Sequence, residues 1–85
     1  MKYQLRIEIS LKQGHSDPEG ETTAGLLREL GYKVDDVKVS KVYSVLLDAK
    51  SREEAEVKAR EICERLLANP TKDNYEIKVK KEEEL

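Results

Sequence analysis

The sequence predicts a small α+β domain in which two helices cover one face of an antiparallel sheet. Apolar and polar residues alternate in four short stretches, which is the period of a half-buried strand. Two further stretches combine a capping residue with apolar residues at helical spacing. With 85 residues, the chain has room for one core and not for a deep, enclosed active site.

The first strand and the first helix are predicted from the N-terminal third of the chain. From residue 3 to residue 11 the odd-numbered positions are apolar, so they form one buried face. The first helix is predicted to begin with Asp17 as its cap and Pro18 at its first position, and to end before Gly31, where a left-handed cap fits. Its inward stripe is predicted to consist of Thr23, Leu26, Leu27 and Leu30.

The second and third strands are predicted to form a tight hairpin. Val37 and Val39 alternate with polar residues, and after residues 40–42 a second alternating row begins at Tyr43. The third strand also carries Val42 and Leu46 on its opposite face, which favours a central position in the sheet.

The second helix is predicted over residues 51–70. Ser51 and Glu54 form a capping box, and Pro70 ends the helix because the residue before a proline is pushed out of the α region. Its buried stripe consists of Ala55, Ala59, Ile62, Cys63 and Leu66. A fourth strand is predicted from the alternation of Tyr75, Ile77 and Val79.

This order of elements is that of the ferredoxin-like, split βαββαβ fold, a four-stranded antiparallel sheet with two helices on one face. Right-handed crossovers would place the first and third strands in the middle and the other two at the edges. Residues 1–81 are predicted to form this single domain, and residues 82–85 a charged C-terminal tail.

Composition argues against nucleic-acid and membrane partners. The 16 basic and 18 acidic side chains give a formal charge of −2 and are intermixed along the chain. A sheet of this kind can bind RNA through exposed aromatic residues, but Tyr3 and Tyr43 share the phase of the buried rows. The single cysteine and the absence of a long apolar run predict a cytoplasmic protein.

The search for chemical groups predicts no catalytic, cofactor-binding or metal-binding residues. His15 is interpreted as an ordinary loop residue and Cys63 as a core residue, since neither has a partner at a suitable spacing. Asp35 and Asp36 are typical of a turn, although they leave a metal-binding pair as an alternative. The four glycines form no phosphate-binding pattern.

Three apolar residues do not fit the predicted core. Val57 points away from the helix stripe, and Val42 and Leu46 point to the sheet face that should be solvated. Each could be an ordinary exposed residue, but together they favour self-association or docking on a partner.

Five segments of the chain follow one another in the order LKQGHSDPEGE, LLRELGY, DVKVSKVYSVLLDA, CERLLANP and NYEIKV. In this order and at these separations they resemble the PurS family, the small subunit of phosphoribosylformylglycinamidine synthase. The resemblance extends over most of the chain, from about residue 3 to residue 80.

The resemblance implies a non-catalytic subunit in de novo purine biosynthesis. The complex converts formylglycinamide ribonucleotide, glutamine and ATP to formylglycinamidine ribonucleotide, glutamate, ADP and phosphate. In that family a glutaminase subunit releases ammonia, and a synthetase subunit binds ATP and Mg²⁺. The small subunit forms a dimer or tetramer and bridges the other two, binds no cofactor itself and has no activity when isolated.

Such a bridge needs exposed contact surfaces. The predicted interface residues are Arg6, Glu8, Val42, Ser44, Leu46 and Val57, together with the loop of residues 14–17. Two alternatives remain open: a stand-alone ferredoxin-like regulatory module that binds a small molecule, and an enzyme with a site between two copies.

Overall fold

The structure is a computed structural model, and it describes residues 1–82. The elements follow in the order β1 (Lys2–Leu11), α1 (Pro18–Glu29), β2 (Lys41–Asp48), α2 (Arg52–Ile62), a π-helical turn (Cys63–Leu67) and β3 (Asp73–Lys81). The α+β class is confirmed. In this part of the chain, both predicted helices and three of the four predicted strands are present.

The sheet has three strands in the order β2-β1-β3, and β1 is antiparallel to both neighbours. The prediction of a four-stranded ferredoxin-like sheet is therefore wrong. The predicted third strand corresponds to β2, which lies at an edge of the sheet, and β1 alone is central. Residues 37–40 form no strand, so the predicted hairpin with β2 does not exist either.

Residues 37–39 pack against the start of α1 instead of pairing with the sheet. The carboxylate of Asp17 accepts hydrogen bonds from the backbone N–H of Gly20, at 2.9 Å, and from that of Val39, at 2.8 Å. A Cβ atom on Gly20 would overlap the carbonyl oxygen of Val37, so glycine allows a close approach there. The backbone N–H of Val39, which a fourth strand could use for pairing, is thus engaged by the start of α1.

The core lies between the sheet and α2. The largest fully buried side chains are Leu5, Ile7 and Cys63, so the interpretation of Cys63 as a core residue is confirmed. The helix lies over β1 and β3. Two hydrogen bonds fix its side toward β3: Arg52 donates to the carbonyl of Val79 at 2.6 Å, and the Tyr75 hydroxyl lies 3.2 Å from Glu64 Oε1.

The predicted start of α2 is confirmed, and its end differs from the prediction. Ser51 Oγ accepts from the Glu54 N–H at 3.1 Å, while the Glu54 carboxylate accepts from the Lys50 N–H at 3.0 Å. The last turn widens to a π-helix, in which the Ala68 N–H donates to the Cys63 carbonyl five residues back, at 2.9 Å.

The first helix does not lie on the sheet, contrary to the prediction that both helices cover one face. It makes only marginal contacts with the other helix and the strands. Leu26 is 55% exposed and Leu30 is 74% exposed. Thr23 and Leu27 are partly buried, so only half of the predicted inward stripe is covered by its own chain. Asp17 and Gly31 do occupy the predicted caps, and Gly31 has φ +95°.

Residues 30–40 fold back along α1. The Tyr32 N–H donates to the Leu27 carbonyl at 3.0 Å, which closes the helix end. The Arg28 side chain donates to the carbonyls of Val34 and Asp35, each at 3.1 Å. We call residues 18–40 the α1 arm, since they form one unit beside the sheet.

The described part of the chain ends just after β3. Lys81 is the last residue of β3, and Glu82 follows it. Residues 83–85 of the predicted tail lie outside the described residues. Within residues 1–82, no helix has the length and apolar character that crossing a membrane requires.

Candidate functional site

The side of the sheet opposite α2 is uncovered and carries most of the predicted interface residues. We call it the open face. It comprises the even-numbered residues of the three strands, because successive side chains on a strand point to opposite sides. The structure brings together five of the six predicted interface residues on this face: Arg6, Glu8, Val42, Ser44 and Leu46.

Charges on the open face are sorted by sign along the strands. Arg6 lies directly opposite Lys78, and Lys80 lies one pair further along in the same direction, opposite Gln4. In the other direction, the next pair is Glu8 and Glu76. The register thus produces a basic group of three side chains beside an acidic group of two.

Directly opposite like charges destabilise an antiparallel pair by roughly 0.2–1 kcal/mol. No ion pair with Arg6, Lys78 or Lys80 is found within residues 1–82 that would offset this repulsion. The basic group also lines a shallow depression of about 380 Å³, with Gln4 and Ser44 as its other walls. This part of the face has the charge, shape and exposure to receive acidic groups of another molecule.

The β2 side of the open face is apolar. Val42 is opposite Glu8, and Leu46 is opposite Gln4, with Ser44 between them beside Arg6. Val42 and Leu46 are 44% and 55% exposed. Protein contact surfaces combine an apolar centre with a polar rim, and the open face has exposed apolar side chains beside charged ones.

Two polar contacts mark the ends of the open face. Lys2 Nζ donates to Asp48 Oδ2 at 2.8 Å, and this hydrogen bond raises the pKa of Lys2 and lowers that of Asp48. At the other end, Ser40 Oγ donates to Glu8 Oε2 at 3.0 Å. Both pairs are exposed to solvent, so their contribution to stability is small.

Val57 is separated from the other predicted interface residues. It is 46% exposed and belongs to α2, whose buried residues lie on the other side of the sheet from the open face. A contact at Val57 would therefore be a second surface. The structure offers two opposite surfaces on one small domain.

The predicted contact loop at residues 14–17 turns at Gly14, which has φ +90°. His15 is exposed in this loop. The Asp17 carboxylate caps α1 and also accepts a hydrogen bond from the Val39 N–H. These two backbone hydrogen bonds lower the pKa of the carboxyl group, and the bond from Val39 has the larger effect. The carboxylate is therefore engaged in structure rather than free to orient a histidine.

No arrangement for catalysis emerges from the described residues. Burial raises the pKa of the Cys63 thiol, which disfavours the nucleophilic thiolate. Asp35 lies in a bend, as the turn interpretation predicts. A search of residues 1–82 finds no cluster of three His, Cys, Asp or Glu residues that could hold a metal ion.

Sequence reasoning missed the residues of β3 that complete the open face, namely Glu76, Lys78 and Lys80. Their signal was the polar half of the fourth alternating row. What the sequence did not supply was the register, which places Lys78 rather than Glu76 opposite Arg6.

A family model matches residues 4–81 of the chain and describes PurS, phosphoribosylformylglycinamidine (FGAM) synthase. Among curated proteins, the phosphoribosylformylglycinamidine synthase subunit PurS of Archaeoglobus fulgidus is 50% identical over 72 residues. That match covers 84% of this chain and 90% of the relative.

Solved structures of the same family have the same fold. PurS of Methanocaldococcus jannaschii, a subunit of formylglycinamide ribonucleotide amidotransferase in the purine biosynthetic pathway, matches with a TM-score of 0.82 and 36% identity. It covers 93% of this chain and 96% of that one. A chain in the structure of PurLQS from Thermotoga maritima matches with a TM-score of 0.86 and 28% identity, over 94% and 99% of the two chains.

Proposed function

Because the chain belongs to the PurS family, we propose that it is the small subunit of phosphoribosylformylglycinamidine synthase, acting in purine biosynthesis. The observation that carries the proposal is the family match over residues 4–81. Relatives with this name also match nearly end to end, so the resemblance is not limited to one motif. These comparisons favour the subunit over a stand-alone regulatory module or an independent enzyme.

In this role the chain supports a reaction that its partners carry out. The complex uses glutamine and ATP to convert formylglycinamide ribonucleotide to formylglycinamidine ribonucleotide. ATP and Mg²⁺ are assigned to the synthetase subunit and ammonia release to the glutaminase subunit, with no cofactor on this chain. The inert, buried Cys63 and the engaged Asp17 support a structural role for this subunit.

The two opposite surfaces fit a bridge between two larger subunits. The open face, with Arg6 and Glu8 beside Val42, Ser44 and Leu46, is assigned to one of them. The outer side of α2 around Val57 is assigned to the other. A subunit that holds two partners needs two surfaces that do not overlap, and the sheet separates these two.

A cytoplasmic location is part of the proposal. It is supported by the buried, unpaired thiol of Cys63, the sequence's one cysteine, since reducing compartments keep such thiols free.

Reconstitution tests the subunit role. The isolated chain is expected neither to hydrolyse glutamine nor to consume ATP. Added to the purified synthetase and glutaminase subunits, it is expected to restore glutamine-dependent amidation, measured as formylglycinamidine ribonucleotide formed. Full glutamine-dependent activity of the two large subunits without this chain would refute the proposal.

A charge reversal tests the open face. The double variant Arg6→Glu, Lys78→Glu keeps two like charges opposite each other, so the sheet itself is little changed, but it reverses the basic group. We expect assembly with the large subunits to weaken about tenfold or more, measured by titration calorimetry. The double variant Lys33→Glu, Lys72→Glu reverses two exposed charges outside the face and is the matched control. Equal affinities of the two variants for the large subunits would show that the open face is not part of the interface.

A further inference from the structure

Three cations of the open face are held together without a counter-charge. Arg6 of β1 is directly opposite Lys78 of β3, and Lys80 follows two residues later on the same side of β3. All three side chains are exposed, and none of them forms an ion pair within residues 1–82. Lys2 and Lys58, in contrast, have carboxylate partners at 2.8 and 3.1 Å. The register thus concentrates positive charge in a place where the described chain supplies no anion.

The acidic side chains of the open face do not neutralise this basic group. Glu8 and Glu76 are two residues away along the strands, which separates their backbones from those of the nearest cations by about 7 Å. The Glu8 carboxylate accepts a hydrogen bond from the Ser40 hydroxyl at 3.0 Å. At the other end of the face, the Asp48 carboxylate is bonded to Lys2 at 2.8 Å. The basic group is therefore available to an anion from outside the chain.

The basic group lines a depression whose walls can all donate hydrogen bonds. The depression holds about 380 Å³, and its other walls are Gln4 and Ser44. This volume is within the range of roughly 300–1,000 Å³ that is usual for small-molecule sites. Arginine and lysine side chains have donors only, and a glutamine amide and a serine hydroxyl can each add a donor. A ligand that fits such a lining is an anion with several acceptor oxygens.

The number and placement of the donors favour a phosphate group over a carboxylate. A carboxylate has one negative charge and two oxygens, whereas a phosphate monoester has a charge of about −1.5 to −2 at pH 7 and three acceptor oxygens. Because neighbouring strands are about 4.8 Å apart, the flexible side chains of Arg6 and Lys78 can converge on one group from two strands. The arginine fork can bind two phosphate oxygens at once, and a lysine adds a point charge. One phosphate group thus satisfies donors that a single carboxylate would leave without an acceptor.

We propose that the basic group and its depression form a binding site for the phosphate group of a small molecule. Arg6 and Lys78 bind the phosphate from two strands, and Lys80 adds a third positive charge beside it. Ser44 and Gln4 donate hydrogen bonds from the walls of the depression. The site shares the open face with the proposed subunit contact but does not depend on it, because the isolated chain should bind the ligand.

An apolar neighbour of the depression distinguishes two sources of the phosphate group. Leu46 is 55% exposed and lies opposite Gln4, which in turn lies opposite Lys80. Two strand spacings therefore separate Leu46 from Lys80, a distance of about 10 Å between backbones. Inorganic phosphates would use the basic group alone. A nucleotide would place its phosphates there and cover Leu46 with its nucleoside.

Titration of the isolated, full-length chain with pyrophosphate tests the site. In a buffer without phosphate or divalent cations, calorimetry should give a Kd of about 1 mM or lower, and the amide NMR signals of Arg6, Ser44 and Lys78 should shift. The double variant Arg6→Gln, Lys78→Gln should bind about tenfold more weakly or worse, because it loses charge-assisted hydrogen bonds. The matched control Lys33→Gln, Lys72→Gln removes the same charge from exposed positions outside the open face and should keep the wild-type affinity.

A parallel titration with ADP identifies the source of the phosphate group, since ADP has two linked phosphates with a nucleoside attached. Binding that is about threefold or more tighter than that of pyrophosphate, with the difference removed by Leu46→Ser, would identify a nucleotide. Equal affinities of the two probes, both lowered by Arg6→Gln, Lys78→Gln, would identify inorganic phosphates. Either result supports the site.

Two results would overturn the proposal. One is the absence of binding at pyrophosphate concentrations up to about 10 mM. The other is equal affinity of the two glutamine double variants, which would show that pyrophosphate responds to net charge only. If either result accompanies an assembly with the large subunits that Arg6→Glu, Lys78→Glu weakens, the basic group binds acidic side chains of a large subunit instead. Failed reconstitution of a chain that binds pyrophosphate would refute the subunit role alone.

Discussion

The two helices begin with the same kind of sequence signal and end in different surroundings. Each has a side chain that caps its first turn, Asp17 for α1 and Ser51 for α2. The buried stripe of α2 consists of small residues, Ala55, Ala59 and Cys63, which let the helix approach the sheet closely. The stripe of α1 has leucines, two of which, Leu26 and Leu30, remain exposed on the arm.

The difference shows what local signals determine. Capping and periodicity determine where a helix forms, because they act within a few residues. The surface that a helix covers depends on the whole chain, including the hydrogen bonds of the segment that follows it. Here residues 37–40 hold α1 in an arm, and α2 alone forms the layer on the sheet.

The largest expected loss of stability comes from a substitution in the core under α2. Ile7→Ala removes a fully buried side chain and should lower the free energy of unfolding by about 2–5 kcal/mol in urea titrations followed by circular dichroism. Leu30→Ala, at concentrations where the chain is monomeric, should change it by less than about 0.5 kcal/mol. Comparable losses for the two variants would show that the arm is part of the monomer's core.

Two glycines of α1 give a sharper comparison within the arm. Gly20→Ala places a Cβ against the Val37 carbonyl and 2.9 Å from Asp17 Oδ2, so it should destabilise the arm by about 1–3 kcal/mol. Gly25→Ala meets no atom within 4 Å and should stabilise α1 by about 0.5–1 kcal/mol. The amide exchange rate of Val39 reports both changes. The two substitutions are expected to change this exchange rate in opposite directions. A change in the same direction would contradict the close approach of residues 37 and 20.

The smallest expected effect is the pH dependence of the Asp17 cap of α1. The pKa of Asp17 is lowered from its ordinary value of 3.8, so its carboxylate stabilises the fold above that value and loses this contribution as the pH falls through the lowered one. Acidification should therefore lower the protection factor of the Val39 amide, its exchange rate relative to the intrinsic rate at the same pH, before it lowers that of the Ile62 amide within α2.

The variant Asp17→Asn is the control for that titration, because its amide can still accept a hydrogen bond but does not ionise in this range. It should remove the acid-dependent step at Val39. An unchanged pH profile in this variant would show that another group controls the arm.

The sequence was sufficient to predict most elements but not their arrangement. The strict alternation of residues 3–11, 43–49 and 75–79 identified the strands correctly because each has an inner row that is buried or partly buried. The second strand was predicted from two valines, Val37 and Val39, which is too short a row to distinguish a strand from an extended segment packed on a helix. The close contact at Gly20 is a property of the fold that no local pattern reveals.

The residues of the open face were predicted only in part, because a local pattern does not determine how distant strands align. The phase of each strand correctly assigned Arg6, Glu8, Val42, Ser44 and Leu46 to one face, since that depends only on alternation. Which charges lie beside one another depends on how β3 is aligned with β1. For Val57, the helical angle correctly indicated exposure.

The like-charged pairs also bear on how the chain folds. A slip of β3 by two residues would keep its inner row facing the core and place Glu76 opposite Arg6, which exchanges repulsion for attraction. The native alignment is therefore frustrated on the open face. The turn before β3 opposes the slip: the Asn69 N–H bonds the Asp73 carboxylate at 2.9 Å, and the Asp73 N–H bonds the Asn69 carbonyl at 2.8 Å. This turn thus favours the register in which like charges lie opposite each other on the open face.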